Sequence, residues 1–400
     1  MTVAPARPAE RARRGLRRAW RALTPALVPF VVARGIVLSA LAFGHLFVSR
    51  VHPAASQVLM AGRSPEAGVA FRVHQGLLAW DAGFYESIAR FGYRPFGHGA
   101  LRFFPLLPLT ARGLAGLPGI SAGTAIVVIA NVGALVGTAL LVALVRRETG
   151  DDGLARRTAW LFSLAPPAFC LVLGYAEGLL LVFTTATFLC LRPVAGRRPA
   201  WWAAALFGYA AALTRPVGVL VVLAVAVEAW RHRRAAGAER VAIAVALLGP
   251  LAGLITFLGW SDGAFGDFFL PLRVQTSSVH HGGLADPFTT LWHDAQSGVL
   301  HHHFGTGLHV PWVVLVVVVL VAVWWRLPAS YGAFATGIVL VAVSGTNLDS
   351  FERYALSAFP LVIAGAMGLR SARVERVVLT LSAAGLFAYS LLAFLNLSVP

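Results

Sequence analysis

The stretch A-W-D-A-G-F-Y-E, residues 79–86, sets an acid, Asp81, beside an indole, Trp80, in a polar segment of an otherwise apolar chain. A carboxylate so placed can serve as general base towards a hydroxyl group, and an ionisable side chain at the lip of a bilayer is a functional candidate. Trp80, a residue that seeks the membrane interface, would pin Asp81 at the level of the headgroups, where a lipid-linked substrate presents its sugar. The bland alternative for Asp81 is a solvated loop acid. Glu86 follows five positions later, about 140° round a helix. The spacing therefore does not imply a pair of carboxylates, and Glu86 reads equally well as solvated or paired with an arginine.

Two arginines offer the complementary charge. Arg215, in T-R-P-V-G at 214–218, lies between two apolar runs, where an unpaired cation costs a few kcal/mol. A guanidinium at such a helix break has the planar fork that grips a phosphate with two hydrogen bonds; the alternative is a side chain that snorkels to the surface. Arg353, in F-E-R-Y, follows the same logic, although Glu352 beside it can neutralise it. Glu177 closes the short turn G-Y-A-E at 174–177 and is either a working acid or the partner of an external arginine.

The histidines suggest a metal and do not support one. His280, His281, His293, His301, His302, His303 and His309 lie in or beside residues 261–308, along with Asp262, Asp267, Asp286 and Asp294. Imidazole is a common metal ligand, yet no H-E-x-x-H or similarly constrained spacing occurs, and no metal is expected. Cys170 and Cys190 both fall in apolar runs, which removes a disulfide frame or a cysteine zinc site. No G-x-x-x-x-G-K-[ST] loop is present, so no nucleotide site or other cofactor is expected.

The elements that must hold these residues are membrane helices. The 400 residues are 58% hydrophobic and 12% charged, with mean hydropathy +0.74, against roughly 25% charged residues in a soluble domain. The formal charge of +16 comes from arginine alone, since the sequence contains no lysine. Its arginines gather at helix ends, where they set topology, rather than on one face as a nucleic-acid site requires. The Arg-rich start resembles a signal peptide, but the apolar run of 23–48 is too long for one and no small-residue cleavage site follows. It is read as the first spanning helix.

Placing 1–23, 146–157, 192–199, 231–240, Arg326 and 370–376 inside collects seven, four, three, four, one and three arginines, 22 of the 33. That asymmetry predicts helices near 23–48, 121–145, 158–174, 176–191, 200–213, 217–230, 241–260, 309–325, 330–346, 354–369 and 377–397. Counting 103–119 as a further span would invert every later loop, so this segment is read as an interfacial helix on the outer face. Pro216 breaks the pair 200–213 and 217–230. The chain is thus one transmembrane domain over 1–400, with a cytoplasmic tail at 1–23, a long first external loop at 49–120 and a His-rich external loop at 261–308. Asp81, Glu177, Arg215 and Arg353 all fall on the outer side.

In order along the chain, W-D-x-x-x-Y-x-x-I-A-x-x-G-Y, F-F-P-x-x-P-L, G-Y-A-E, T-R-P-V-G and a late E-R-Y resemble the family of the second mannosyltransferase of glycosylphosphatidylinositol-anchor synthesis and its bacterial relatives. The match covers 79–109, 160–220 and 345–362. The resemblance implies an all-α polytopic membrane protein of GT-C type, here with about 11 transmembrane helices, whose first extracytoplasmic loop carries the catalytic acid and whose donor is a polyprenyl-phosphate sugar. Carried over by position, the loop-one acid is Asp81, the F-F-P element is Phe103, Phe104 and Pro105, and the turn acid is Glu177. Trp80, Tyr85, Glu86 and Arg102, with Phe103, Phe104, Arg215, Arg353 and Tyr354, are the residues expected to bind substrate and donor. Short loops and arginine-only basicity depart from the anchor-pathway enzyme and argue against an anchor-lipid acceptor.

The implied donor is polyprenyl-phosphate-mannose, its acceptor an extracytoplasmic lipid or glycan, and its setting the plasma or inner membrane. Its leaving group is a lipid phosphate that departs without protonation. The protein then needs a base for the acceptor, Asp81, and cations for the phosphate, Arg215 and Arg353. One displacement inverts the anomeric centre, giving an α-mannoside from a β-linked donor. A flippase for polyprenyl-linked lipids would use the same outer cavity but calls for inverted repeats and broken helices at the midplane; no internal repeat is visible. A scaffold subunit would make Asp81 dispensable.

Overall fold

The computed structural model describes residues 8–51, 72–194, 196–276, 283–300, 309–346 and 348–397. Among them there is no strand, only an isolated bridge between Leu284 and Gly345. His280, His281 and His301 to His303 lie outside the described residues.

Five helices are long and apolar enough to cross a membrane. They belong to α1 (Pro8–Val51), α4 (Ala122–Thr149), α9 (Ala238–Phe265), α12 (His309–Arg326) and α16 (Ala372–Phe394). The apolar part of α1, α4 and α9 is 28 residues each, about 42 Å at 1.5 Å per residue and longer than the ~30 Å hydrocarbon layer. Four shorter apolar helices complete the bundle: α6 (Glu177–Leu191), α7 (Trp201–Thr214), α13 (Ala329–Val343) and α15 (Phe359–Gly368). Between and around them run α2 (Asp81–Phe91), α3 (Leu106–Ala115), α5 (Asp152–Leu164), α8 (Val221–Arg231), α10 (Leu270–Gln275), α11 (Pro287–Leu300) and α14 (Phe351–Ser357).

Helix ends follow local chemistry. Ser121, Asp151 and Ser371 cap α4, α5 and α16 by accepting the backbone N–H three residues on, and Gly150 at φ 69° closes α4. The segment 103–119, expected as an interfacial helix, contains α3, which packs on α2 and α4 and buries Leu107, Pro108 and Ala111.

Three expected spans are interrupted, and one of them, 217–230, opens as a 3-10 segment, Pro216–Leu220, before α8. The run 158–174 is α5 followed by a 3-10 segment, Pro166–Leu171, because the two prolines after Ala165 cannot continue the helix. The run 354–369 is split into α14 and α15 at Ala358, two residues before Pro360. Backbone carbonyls freed at membrane depth need partners. Arg34 on α1 donates to the Leu171 carbonyl at 2.6 Å and to Asn131 Oδ1 at 3.0 Å, and Asn131 donates to the Val172 carbonyl at 2.9 Å. The arginine inside the first span is thus a brace for the broken segment.

Packing places the turn acid. A Cβ on Gly178 would lie 2.6 Å from Ala134 N, so only glycine lets α6 cross α4 this closely. That contact seats Glu177, the first residue of α6, under the first-loop helix α2. At the end assigned to the cytoplasm, Arg192 bonds both oxygens of Glu148 at 2.9 Å and reaches Glu228 at 3.3 Å, while Ser330 donates to Glu228 at 2.7 Å. This buried network ties α4, α6, α8 and α13 together below the bundle.

Candidate active site

Asp81 is the first residue of α2, where the helix dipole favours a carboxylate. The residue before it is strained: Trp80 has φ 60° and ψ −129°, a conformation that L-residues other than glycine rarely adopt. Its indole N–H donates to the Ala393 carbonyl of α16 at 2.9 Å, and the Arg72 guanidinium lies 4.1 Å from its ring centre. These contacts hold the strained turn and aim Asp81 inward.

Facing it is Arg353 on α14, 3% exposed, whose Nη1 donates to Asp81 Oδ2 at 2.7 Å. Its Nε stands 3.4 Å from Glu177 Oε1, at ion-pair distance without hydrogen-bond geometry. Glu177, 5% exposed, receives a close hydrogen-bonded ion pair from Arg215. Arg215 ends α7 in extended backbone, φ −154° and ψ 152°, because Pro216 stops the helix. The aromatic faces complete the cation sites. Tyr354 lies 5.0 Å from the Arg215 guanidinium and 5.7 Å from that of Arg353, which also lies 5.2 Å from Tyr175.

The arginines open on a cavity of about 310 Å³ lined by Asp81, Tyr85, Arg102, Phe103, Arg215, Asp349, Arg353 and Tyr354 together with Gln275, Thr276 and Ser344. This size falls at the lower end of small-molecule pockets, roughly 300–1,000 Å³. Gly283, Leu284 and Gly345 also line it, next to the point where Ala285 N–H donates to the Ser344 carbonyl at 2.9 Å. Arg102 is placed by Gln275, whose side-chain amide donates to the Arg102 carbonyl at 2.8 Å. Phe103 is wedged between Phe84 and Tyr85, at centroid distances of 4.8 and 5.1 Å.

Burial raises the Asp81 pKa, but the Arg353 and Arg102 charges, the hydrogen bond from Arg353 and the Arg215 charge outweigh it. The carboxyl is therefore held below its ordinary value and is ionised at neutral pH. Burial and the Asp81 charge push the Tyr85 phenol up to about 12 against the pull of Arg215 and Arg353, keeping it a neutral hydrogen-bonding group.

The structure brings Asp81, Tyr85, Arg102, Phe103, Arg215, Arg353 and Tyr354 onto one cavity and leaves four expected residues off its wall. Glu177 sits behind it as the buried counter-charge of both arginines. Trp80 is an anchor to α16. Phe104, fully buried, packs on Phe257 at 4.7 Å between ring centres. Glu86 points along α2 to Arg90 at 3.7 Å, as the 140° offset from Asp81 requires. Among the described residues no cluster of histidine, cysteine and acidic side chains has the proximity to hold a metal. Gln275, Thr276, Ser344 and Asp349 are polar wall residues that no motif marks, although Asp349 stands in the same polar run, T-N-L-D-S-F-E-R-Y, as Arg353. A second cavity of about 450 Å³, largely apolar, lies between α5, α12, α15 and α16, with Glu352 and Arg326 among its lining residues.

An all-helical membrane bundle with an acid on its first polar helix and an arginine-lined cavity has the GT-C architecture of membrane glycosyltransferases. The chain belongs to glycosyltransferase family 87, whose model matches residues 93–348. Its fold is similar to that of ArnT from Cupriavidus metallidurans bound to undecaprenyl phosphate, with 16% identity and a TM-score of 0.51 over 79% of this chain and 62% of that one. The apo state of the same protein aligns at 15% identity and a TM-score of 0.49, over 78% and 70% of the two chains. The chain thus spans less than two thirds of the first of these structures, and at this identity the likeness is one of fold. No curated protein matches the chain. Kinship with the anchor-pathway mannosyltransferase rests on the motifs alone.

Proposed function

We propose that the protein transfers a hexose, mannose by the motif resemblance, from a polyprenyl-phosphate donor to a hydroxyl group of a lipid or glycan acceptor on the extracytoplasmic face of the cell membrane. The observation that carries this reading is one ionised carboxylate, Asp81, beside three arginines, Arg102, Arg215 and Arg353, on a single cavity. The undecaprenyl phosphate bound by the ArnT of similar fold supports a lipid-phosphate donor, and the inward bias of arginine supports the outer placement.

In the proposed step the acceptor oxygen attacks the anomeric carbon and its proton passes to Asp81. The bond from that carbon to the phosphate oxygen breaks, and its electron pair leaves on polyprenyl phosphate. Glu177 neutralises Arg215 and Arg353 before the donor arrives, so the cavity is not left with naked buried charge. The phosphate then meets pre-oriented guanidinium groups, which stabilise the charge as it develops. Attack opposite the leaving group inverts the centre.

Membranes holding the protein should release polyprenyl phosphate from polyprenyl-phosphate-mannose when given a synthetic alkyl mannoside, and the new linkage should be α from a β-linked donor. A β-linked product would exclude single displacement. No release from any polyprenyl-phosphate hexose, at confirmed protein levels, would overturn the transferase reading.

A further inference from the structure

The proposed reaction needs a place for the acceptor as well as for the phosphate. The cavity's arginines only donate hydrogen bonds, and the Asp81 carboxylate is already engaged by Arg353. The other carboxylate on the wall is Asp349, in the turn ahead of α14, and among the described residues no arginine stands within ion-pair distance of it. Its side chain is 47% exposed, towards the cavity it lines.

Behind Asp349 is a built support. His309, at the start of α12 and 8% exposed, has Nδ1 at 2.8 Å from Glu352 Oε1 and Nε2 at 4.0 Å from Asp349 Oδ1. Glu352 is 5% exposed and sits next to Arg353 on α14. Asp294 of α11, 8% exposed, has a buried Oδ2 with no hydrogen-bond partner and interacts electrostatically with His309, Asp349 and His293. Two carboxylates therefore flank one imidazole, with Asp294 a third charge acting on it, and the one on the cavity wall is Asp349. Partial burial raises the Asp349 pKa, His309 draws it down and Glu352 raises it again, with a net upward shift. Asp349 and Asp81 thus differ in kind: one is tied to a guanidinium and the other is free to accept from a neutral hydroxyl.

We propose that Asp349 is the acceptor-binding carboxylate of this site, taking a hydrogen bond from a hydroxyl of a sugar or similar polyol acceptor, and that His309, held by Glu352, is the residue that positions it. This rests on the transferase reading above. When His309 is protonated, its Nε2–H points to Asp349 and fixes the carboxylate. When it is neutral with its proton on Nδ1 towards Glu352, a lone pair faces Asp349 and the hold is lost. Acceptor use should then weaken with rising pH, with Glu352, Asp349 and Asp294 as the charged and titratable groups that act on the ring and His293 acting on Asp294 in turn.

The test uses the full chain in membranes, polyprenyl-phosphate-mannose as donor and octyl α-mannoside as acceptor probe. Asp349→Ala and the near-isosteric Asp349→Asn should raise the apparent acceptor KM roughly tenfold or more, the effect of one hydrogen bond to a charged group. The apparent donor KM should move by less than about twofold, since the phosphate is held elsewhere. His309→Gln should raise the acceptor KM by a smaller factor and flatten its pH dependence, which a merely structural role would not do. Unchanged acceptor KM in both Asp349 variants, with wild-type transfer intact, overturns the proposal. Wild-type donor hydrolysis without transfer to the mannoside overturns the acceptor assignment and leaves the transferase reading standing, whereas neither hydrolysis nor transfer brings that reading down.

Discussion

Asp81→Asn and Glu177→Gln remove one negative charge each, 3.4 Å or less from the same guanidinium, yet they should fail in different ways. Asp81 has a side chain 23% exposed to the cavity, and its partner Arg353 keeps Glu177 when Asp81 is neutralised. An asparagine can still accept from Arg353, so the folding cost should be about 1 kcal/mol, the size of a single weakened hydrogen bond. Loss of the base should cut turnover by roughly 10²–10⁴-fold, about 2.7–5.5 kcal/mol in the barrier. The Glu177 side chain is buried and pairs with Arg215 as well as Arg353. Neutralising it strands a buried cation, and breaking such pairs costs on the order of 3–5 kcal/mol. Thermal unfolding in detergent and sugar transfer at matched protein levels separate the two: Asp81→Asn should lose turnover with only a small fall in Tm, and Glu177→Gln should show a much larger fall in Tm. Glu86→Gln, off the cavity and in an exposed pair with Arg90, should do little to either. If Asp81→Asn stays within about threefold of wild type while Glu177→Gln or Glu86→Gln abolishes transfer without unfolding, the base has been assigned to the wrong acid.

Arg215→Lys keeps the charge and loses the planar fork, so the apparent donor KM should rise more than the acceptor KM; an unchanged donor KM in both Arg215→Lys and Arg215→Ala would remove Arg215 from phosphate binding. Single cysteines at residue 90 and at exposed Phe288, close to buried Thr290, with Cys170 and Cys190 replaced, should react with an impermeant reagent from outside and those at 150 and 235 should not, so outside labelling at 150 would refute the arginine-based topology. Because the Asp81 pKa is lowered in the folded protein, its ion pair contributes fully above the unfolded value of about 3.9 and is lost as pH falls through the lower folded value. Wild type and Asp81→Asn should therefore converge in stability only on the acid side of about pH 4, and a convergence near pH 7 would contradict the arginine pairing.

Apolar runs of membrane length were readable because a bilayer demands internally bonded backbone, and α4, α6, α7, α9, α12 and α16 each lie within a few residues of the expected run. The breaks at Pro166–Pro167 and before Pro360 were signalled by the prolines themselves and hidden by the apolar residues around them. Pairing across the fold was not readable. Asp81 and Arg353 are 272 residues apart, and local sequence around Arg353 offers Glu352 as the nearer partner, although Glu352 turns to His309 instead. An indole at position 80 suggests an interface anchor because indoles favour that depth, but the Trp80 N–H is taken by a backbone carbonyl of α16. Phe104 follows Phe103 in the same motif and faces the opposite way, into Phe257. A motif names both rings, and only the turn geometry tells wall from core.

Backbone strain lies on both sides of the Asp81–Arg353 pair. Three non-glycine residues among those described have positive φ, and two of them, Trp80 at 60° and Ser350 at 66°, immediately precede α2 and α14, the helices that carry the pair. Such conformations cost of order 1–3 kcal/mol each and persist where the surroundings hold them. Trp80 is held by its bond to Ala393 and by Arg72, so replacing it removes the brace along with the strain. Ser350, at φ 66° and ψ 12°, is in the left-handed region, which glycine enters without penalty. Ser350→Gly should therefore relieve about 1 kcal/mol of native backbone strain against a comparable gain in the freedom of the unfolded chain, so that any net loss of stability reports the contacts of the buried Ser350 side chain. Ser350→Val, β-branched and unable to take this conformation cheaply, should destabilise by more than about 1 kcal/mol and loosen Arg353, with the donor KM rising as Tm falls. If Ser350→Val matches wild type in both Tm and donor KM, the turn before α14 is not what aims Arg353 at Asp81.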